Sequence, residues 1–149
     1  SARHKGASVT EVLVNCMIFN NGIHKKIVDK EFRADRTILL RHGEKMIYGA
    51  NNDKGIVLDG LKLKSVTIGQ DGYTMDDVLV HDAHCKDNTL HMMLAMMGGD
   101  MPVALGIIRD VEAPTYDESV HAQLKEVQEK MPCRTLDQFL RSCETWEIK

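Results

Sequence analysis

At 149 residues the chain is long enough for one domain with a buried core. Its 43% hydrophobic and 28% charged residues are ordinary for a globular protein and exclude a disordered one. A net charge of -3, with a pI near 6.1, argues against bulk attraction to nucleic acid or to an anionic membrane, and no apolar run nears the roughly 20 residues of a membrane span.

The amino terminus, SARHKGAS, carries no apolar core of the signal-peptide kind. Ser1 reads as a cloning remnant, and the abrupt start as the edge of a piece of a longer chain. Ala2 to Lys5 is expected to end a helix that Gly6 breaks. The first strand is expected over Val9 to Ile18, within EVLVNCMIFNNGI, and runs into a turn at Asn20-Asn21-Gly22. Apolar at nearly every position, it reads as a strand buried on both faces. Loops leaving the carboxyl ends of such strands are where α/β proteins do chemistry, and Cys16 sits there. Ile23 to Arg33 reads as a short amphipathic helix or irregular arm.

From Thr37 the texture changes. Short β-prone runs (Thr37 to Leu40, Met46 to Tyr48, Gly55 to Leu58, Leu61 to Ile68) alternate with Gly, Asn and Asp. Residues 37–69 therefore read as a small antiparallel β insertion, with a hairpin signal at Asp59-Gly60. Thr74 with Asp77 three residues on has the form of a capping box, and Val78-Leu79-Val80 is a brief apolar run that could continue a strand. Asn88 is expected to cap a helix from Thr89 to Met97, with Leu90, Met93, Leu94 and Met97 inward and Gly98-Gly99 as its stop. Met101 to Val111 reads as the second strong strand. A helix follows from about Tyr116 to Lys130, with Val120, Leu124 and Val127 as its apolar stripe. Thr135 opens a last short helix with Leu136, Phe139 and Leu140 inward, and the tail is expected to close on Trp146. The fold class is α/β: mostly parallel core strands with an appended antiparallel element.

Four cysteines, Cys16, Cys85, Cys133 and Cys143, are widely spaced, with no C-x-x-C pair. Length and the missing export signal favour reduced thiols in a cytoplasm over two disulfides. Nine methionines suit an adaptable core or interface. Cys16 is either a small buried hydrophobe or a thiolate ligand of a metal or cluster, whose other ligands this chain does not supply locally. His81, His84, Cys85 and His91 could bind zinc, although H-x-x-H-C does not match established zinc spacings. The competing reading makes His81-Asp82 a strand-end pair that satisfies loop backbone groups. Asp71, Asp76, Asp77 and Asp100 lack a calcium-loop pattern and read as turn and cap residues. No P-loop, G-x-S-x-G or H-E-x-x-H is present, so motifs alone encode no complete active site.

Five stretches, EVLVNCMIFNNG, HGEKMIYG, NDKGIVLDGLKL, DDVLVHDAHCKDNTLHMMLAMM and PVALGIIRDVEAPTYD, together resemble one family. It is the carboxyl-terminal part of the β subunit of 2-oxoacid:ferredoxin oxidoreductases, in the 2-oxoglutarate branch. The most specific parts are the cysteine strand before an F-N-x-G turn and the phrase I-R-D-V-E-A-P-T-Y-D. The resemblance implies the carboxyl-terminal portion of a thiamine-diphosphate-binding-type three-layer fold, as one domain of a longer β subunit. It implies coenzyme A-dependent oxidative decarboxylation of 2-oxoglutarate or a related 2-oxoacid, with electrons passing to ferredoxin. The implied cofactors are thiamine diphosphate, Mg2+ and a 4Fe-4S cluster; the implied partners are an α subunit, γ and δ subunits in some assemblies, and ferredoxin.

Two features of the family are missing: the G-D-G-D motif that holds the diphosphate and magnesium, and the upstream C-x-x-C. What carries over is Cys16 as a late cluster ligand, with Asn20, Asn21 and Gly22 as the turn near thiamine diphosphate. The resemblance assigns nothing to the histidines or to the other three cysteines. By itself this chain is expected to bind no cofactor and to be colourless and inactive. An uncovered sheet edge or cofactor face would invite a homo-oligomer. The alternatives are a non-catalytic interaction domain and, more weakly, the zinc module.

Overall fold

The structure, a computed structural model, describes residues 1–144, 146 and 148. The chain divides into two compact units, Glu11–Glu112 on one side and Ser1–Thr10 with Ala113–Lys149 on the other.

The first unit is mixed α/β. Its elements in order are α1 (Lys25–Val28), α2 (Lys30–Arg36), β1 (Thr37–Leu40), β2 (Ile47–Tyr48), β3 (Lys54–Asp59), β4 (Lys62–Thr67), α3 (Thr89–Ala95) and β5 (Val103–Gly106). β1 and β5 pair in parallel, Thr37 against Val103 through Leu40 against Gly106. β2, β3 and β4 form a separate antiparallel sheet. The antiparallel strands expected over residues 37–69 are found from Ile47 to Thr67, and Thr37–Leu40 instead belongs to the parallel pair. A four-residue apolar run looks alike in either sheet; only its distant partner, over 60 residues on in sequence, decides between them.

The β3–β4 hairpin closes between Asp59 and Lys62, with Gly60-Leu61 as its central residues. Gly60 has φ +62 and Leu61 stays at negative φ, the II′ pattern that matches strand twist and wants Gly first. Gly55, Ile56 and Val57 are buried in succession along β3, covered on both faces, whereas Leu58 and the turn residue Leu61 at the hairpin end are exposed and β4 alternates. The core gathers Ile38 and Leu40 from β1, Met46, Tyr48, Ile56 and Leu94, with Leu90, Met97 and Met101 packed around it. Each such apolar side chain contributes about 1.5–3 kcal/mol by leaving water. Of the inward stripe expected on α3, Leu94 and Leu90 join the core, Met93 is not among its residues, and Met97 packs there from beyond the helix end at Ala95.

Several expectations need correction. Val9 to Ile18 is no buried strand: it makes no ladder, and its one bridge joins Cys16 to Asn20. Val12, Val14, Met17, Ile18 and Phe19 are all more than two-thirds exposed. An apolar run becomes a strand only when a neighbour takes its N–H and C=O groups, and no described residue does so here. Ala2 to Lys5 forms a turn closed by His4 N–H donating to Ser1 O, not a helix end. The second strong strand shrinks to Val103–Gly106, ending where Gly106 takes φ +97. Asn88 is the N-cap residue of α3 but makes no side-chain cap; Asp87 Oδ1 takes the Thr89 N–H instead, at 2.8 Å. Val80 contributes a single bridge, to Lys45.

In the second unit, α4 runs Tyr116–Lys130 and α5 Leu136–Leu140. Capping boxes start both, at Thr115 with Glu118 and at Thr135 with Gln138. Their apolar stripes are not buried as expected: Leu124, Val127 and Phe139 are about half exposed, Leu136 and Leu140 more so, and Trp146 stands in water. Both helices arise from local capping and periodicity, which need no tertiary cover to be written in the sequence.

Candidate functional site

Cys16 lies at the base of a small closed turn, bridged to Asn20 across residues 17–19. Asn20 N–H donates to Cys16 O at 3.1 Å, and Gly22 N–H donates to Asn15 Oδ1 at 2.8 Å. Asn15 Nδ2 donates to Asn21 Oδ1 at 3.0 Å, so one asparagine side chain ties the far end of the turn to the residue before the cysteine. Gly22, at φ +78, supplies the left-handed residue that turns the chain into α1. The predicted residues Cys16, Asn20, Asn21 and Gly22 therefore form one local unit. Asn15, the residue that knits it, was not singled out from the sequence.

The Cys16 sulfur is exposed and faces backbone donors. Phe19 N–H points at Sγ at 3.5 Å. That donor, then those of Ile18 and Asn20, hold the thiol below its ordinary pKa, with a small opposing pull from burial. Converging N–H groups make an anion-binding concavity, which favours the charged form of the sulfur. Around it, Met17, Ile18 and Phe19 present a bare apolar collar. These features fit one ligand of an iron–sulfur cluster. Among the described residues, no group of three or more His, Cys, Asp or Glu side chains converges on a metal position.

The zinc reading fails on geometry. His91 (3% exposed) donates Nε2–H to Asp82 O at 2.8 Å and accepts at Nδ1 from Arg109 Nη1 at 2.9 Å. His81 (0% exposed) spends Nε2 on Ile107 O at 2.9 Å, and its Nδ1 is buried without a partner. His84 Nδ1 donates to Asp110 O at 2.5 Å, while Cys85 stands exposed. Four potential ligands thus serve backbone carbonyls or water instead of one centre. The competing reading of His81-Asp82 holds, since Asp82 Oδ1 also takes the His84 N–H at 2.9 Å. Arg109 completes the arrangement by donating to Cys85 O and Lys86 O. Its isolated position in IIRDV gave no sign of that clamp.

A shallow hollow of about 450 Å³ lies over the outward face of the parallel pair, floored by Leu39 and Leu105 and edged by Lys30, Arg33 and Tyr48. Parallel strands are normally covered on both faces. Leu39 is instead 56% exposed in mid-strand.

Comparison with known proteins places the chain. It is 31% identical over 152 aligned positions to the 2-oxoglutarate oxidoreductase subunit KorB of Mycobacterium tuberculosis. Nearly all of this chain is thus similar to one portion of that subunit. The match takes in 99% of this chain but 40% of that subunit's length. The resemblance read from the short motifs therefore extends over nearly every residue. No family model matches the chain, and no solved structure matches it. Among the described residues no helix is long and apolar enough to cross a membrane.

Proposed function

We propose that this chain is part of the β subunit of a 2-oxoglutarate:ferredoxin oxidoreductase and supplies one thiolate, Cys16, to its 4Fe-4S cluster. The observation that carries the reading is the Cys16 loop: an exposed sulfur, ringed by backbone N–H groups, within a chain related to KorB along 99% of its length. Cluster ligation needs a thiolate, and those donors favour one. Hydrogen bonds to cluster sulfurs and exclusion of water tune the reduction potential. Phe19 N–H is placed for the first task. Met17, Ile18 and Phe19 suit the second once another part of the protein covers them.

In this reading the complete subunit has a thiamine-diphosphate-binding-type fold. The remaining cluster ligands and the site for diphosphate and Mg2+ come from residues outside these 149. Asn20, Asn21 and Gly22 border the thiamine diphosphate, which supplies the decarboxylation chemistry when bound. Residues 1–149 act as one carboxyl-terminal domain, with 37–69 as its β-rich region. An α subunit, coenzyme A, the 2-oxoacid and ferredoxin are the partners, in a cytoplasm. The bare run from Val12 to Phe19 and the open face at Leu39 suit docking of the rest of the subunit. When they are left open they suit self-association.

The test is Cys16→Ser in the complete subunit, co-expressed with its α partner. Iron content and the visible cluster absorbance should fall while bound thiamine diphosphate stays near stoichiometric. An unchanged spectrum and iron content would remove Cys16 from the ligand set.

A further inference from the structure

Two imidazoles outside the Cys16 loop come together without an assigned task. His42, just after β1, and His84, in the loop before α3, have ring centroids 4.3 Å apart at a tilt of 55°. Both residues are exposed, and each ring is held through Nδ1. His84 Nδ1–H is committed to Asp110 O at 2.5 Å, which leaves the lone pair on Nε2. Metal-binding histidines show this pattern, one ring nitrogen donating to a carbonyl or carboxylate while the other takes the ion. His42 has the carboxylate version at hand, since its Nδ1 lies 3.4 Å from Asp82 Oδ1. In the structure that nitrogen accepts the Ala83 N–H at 3.2 Å. Among the described residues, no side chain or carbonyl engages either Nε2.

We propose that His42 and His84 form a surface site for a divalent transition metal of the zinc or copper(II) type, bound through the two Nε2 atoms with water in the remaining positions. Imidazole nitrogen suits these borderline ions, at about 2.0–2.1 Å for zinc. On binding, His42 moves its hydrogen to Nδ1, releases the Ala83 N–H and donates to Asp82. The carboxylate then orients the ring and offsets the charge of the ion. The site shares one residue, His84, with the four-ligand zinc reading excluded above and needs none of the other three. It also uses none of the residues assigned to the cluster, so it stands or falls apart from the oxidoreductase reading.

The experiment is calorimetric titration of the 149-residue chain with zinc chloride, alongside NMR of the imidazole nitrogens. The expected result is one saturable zinc per chain, with only His42 and His84 shifting. His42→Asn and His84→Asn should each weaken binding at least about tenfold, and Asp82→Asn about tenfold, the usual effect of losing an orienting partner. Asp82→Asn keeps an oxygen acceptor for the His84 N–H, so it reports on the metal even if His42→Asn disturbs the fold. His24→Asn, His121→Asn and Cys85→Ser should bind as the parent does. Zinc that is lost with Cys85→Ser but kept in His42→Asn would overturn the proposal. So would the absence of saturable binding, or an Asp82→Asn chain that binds as tightly as the parent.

Discussion

Gly106→Ala should be among the most damaging small substitutions in the chain. Gly106 closes the parallel pair opposite Leu40 and takes φ +97, a conformation costly to any residue with a Cβ. A Cβ built there meets Leu40 O at 2.6 Å and Leu39 Cδ1 at 3.2 Å. The leucine tip can rotate away, but the carbonyl belongs to the partner strand and cannot. Strained φ costs about 1–3 kcal/mol and overpacking another 1–3 kcal/mol or so. The sum, roughly 2–6 kcal/mol, is a large share of the 5–15 kcal/mol or so that holds a typical domain. Gly43→Ala is the control: φ is +79, but nothing lies within 4 Å of its Cβ, so only the backbone strain applies. Urea unfolding followed by fluorescence and circular dichroism should show Gly106→Ala losing more midpoint than Gly43→Ala. At a slope of about 1–3 kcal/mol per molar urea, a clash of that size moves the midpoint by roughly 1 M. Equal losses in the two variants would refute the close approach of the β5 end to Leu40. The placement of Arg109 and Asp110, which follow directly, would fall with it.

Three further outcomes follow from named contacts. The Cys16 thiol is held below its ordinary pKa by the Phe19, Ile18 and Asn20 backbone N–H groups. Its alkylation by iodoacetamide should therefore persist to lower pH in the folded chain than in urea, and coincident pH profiles would dismiss the loop's donors. Asp35 is held below the ordinary carboxylate range chiefly by the Lys54 ammonium at 2.7 Å. A depressed acid stabilises the fold above its unfolded pKa and loses that effect as pH falls through the folded one. The stability gap between the parent and Asp35→Asn should thus be full at neutral pH, close in acid, and shrink in high salt because the pair is partly exposed. A gap indifferent to pH would count against the pair. Thr115→Ala removes the side-chain acceptor at the start of α4 and should cost that helix about 1 kcal/mol. Undiminished helicity by circular dichroism would show the cap to be idle.

What could be read from the sequence was whatever depends on near neighbours. The α4 bounds, the capping box at Thr74, the helix start at Thr135 and the tight turn after Asp59 each rest on residues a few positions apart. The Cys16 turn was legible for the same reason. Its Asn15 tie was not, because an asparagine six residues from its partner looks like any polar side chain. His42 meeting His84, and Arg109 meeting His91, join positions 42 and 18 residues apart, and no local pattern marks them.

The amino-acid order alone determined the similarity to the KorB subunit, the α/β mixture and the local caps, since each is stored in short strings or their order. Tertiary structure alone decided that Thr37–Leu40 joins β5, that four potential zinc ligands scatter, and that Val12 to Phe19 stands bare. Strand pairing and burial depend on which distant surface arrives. An apolar string states a need for cover without naming what provides it.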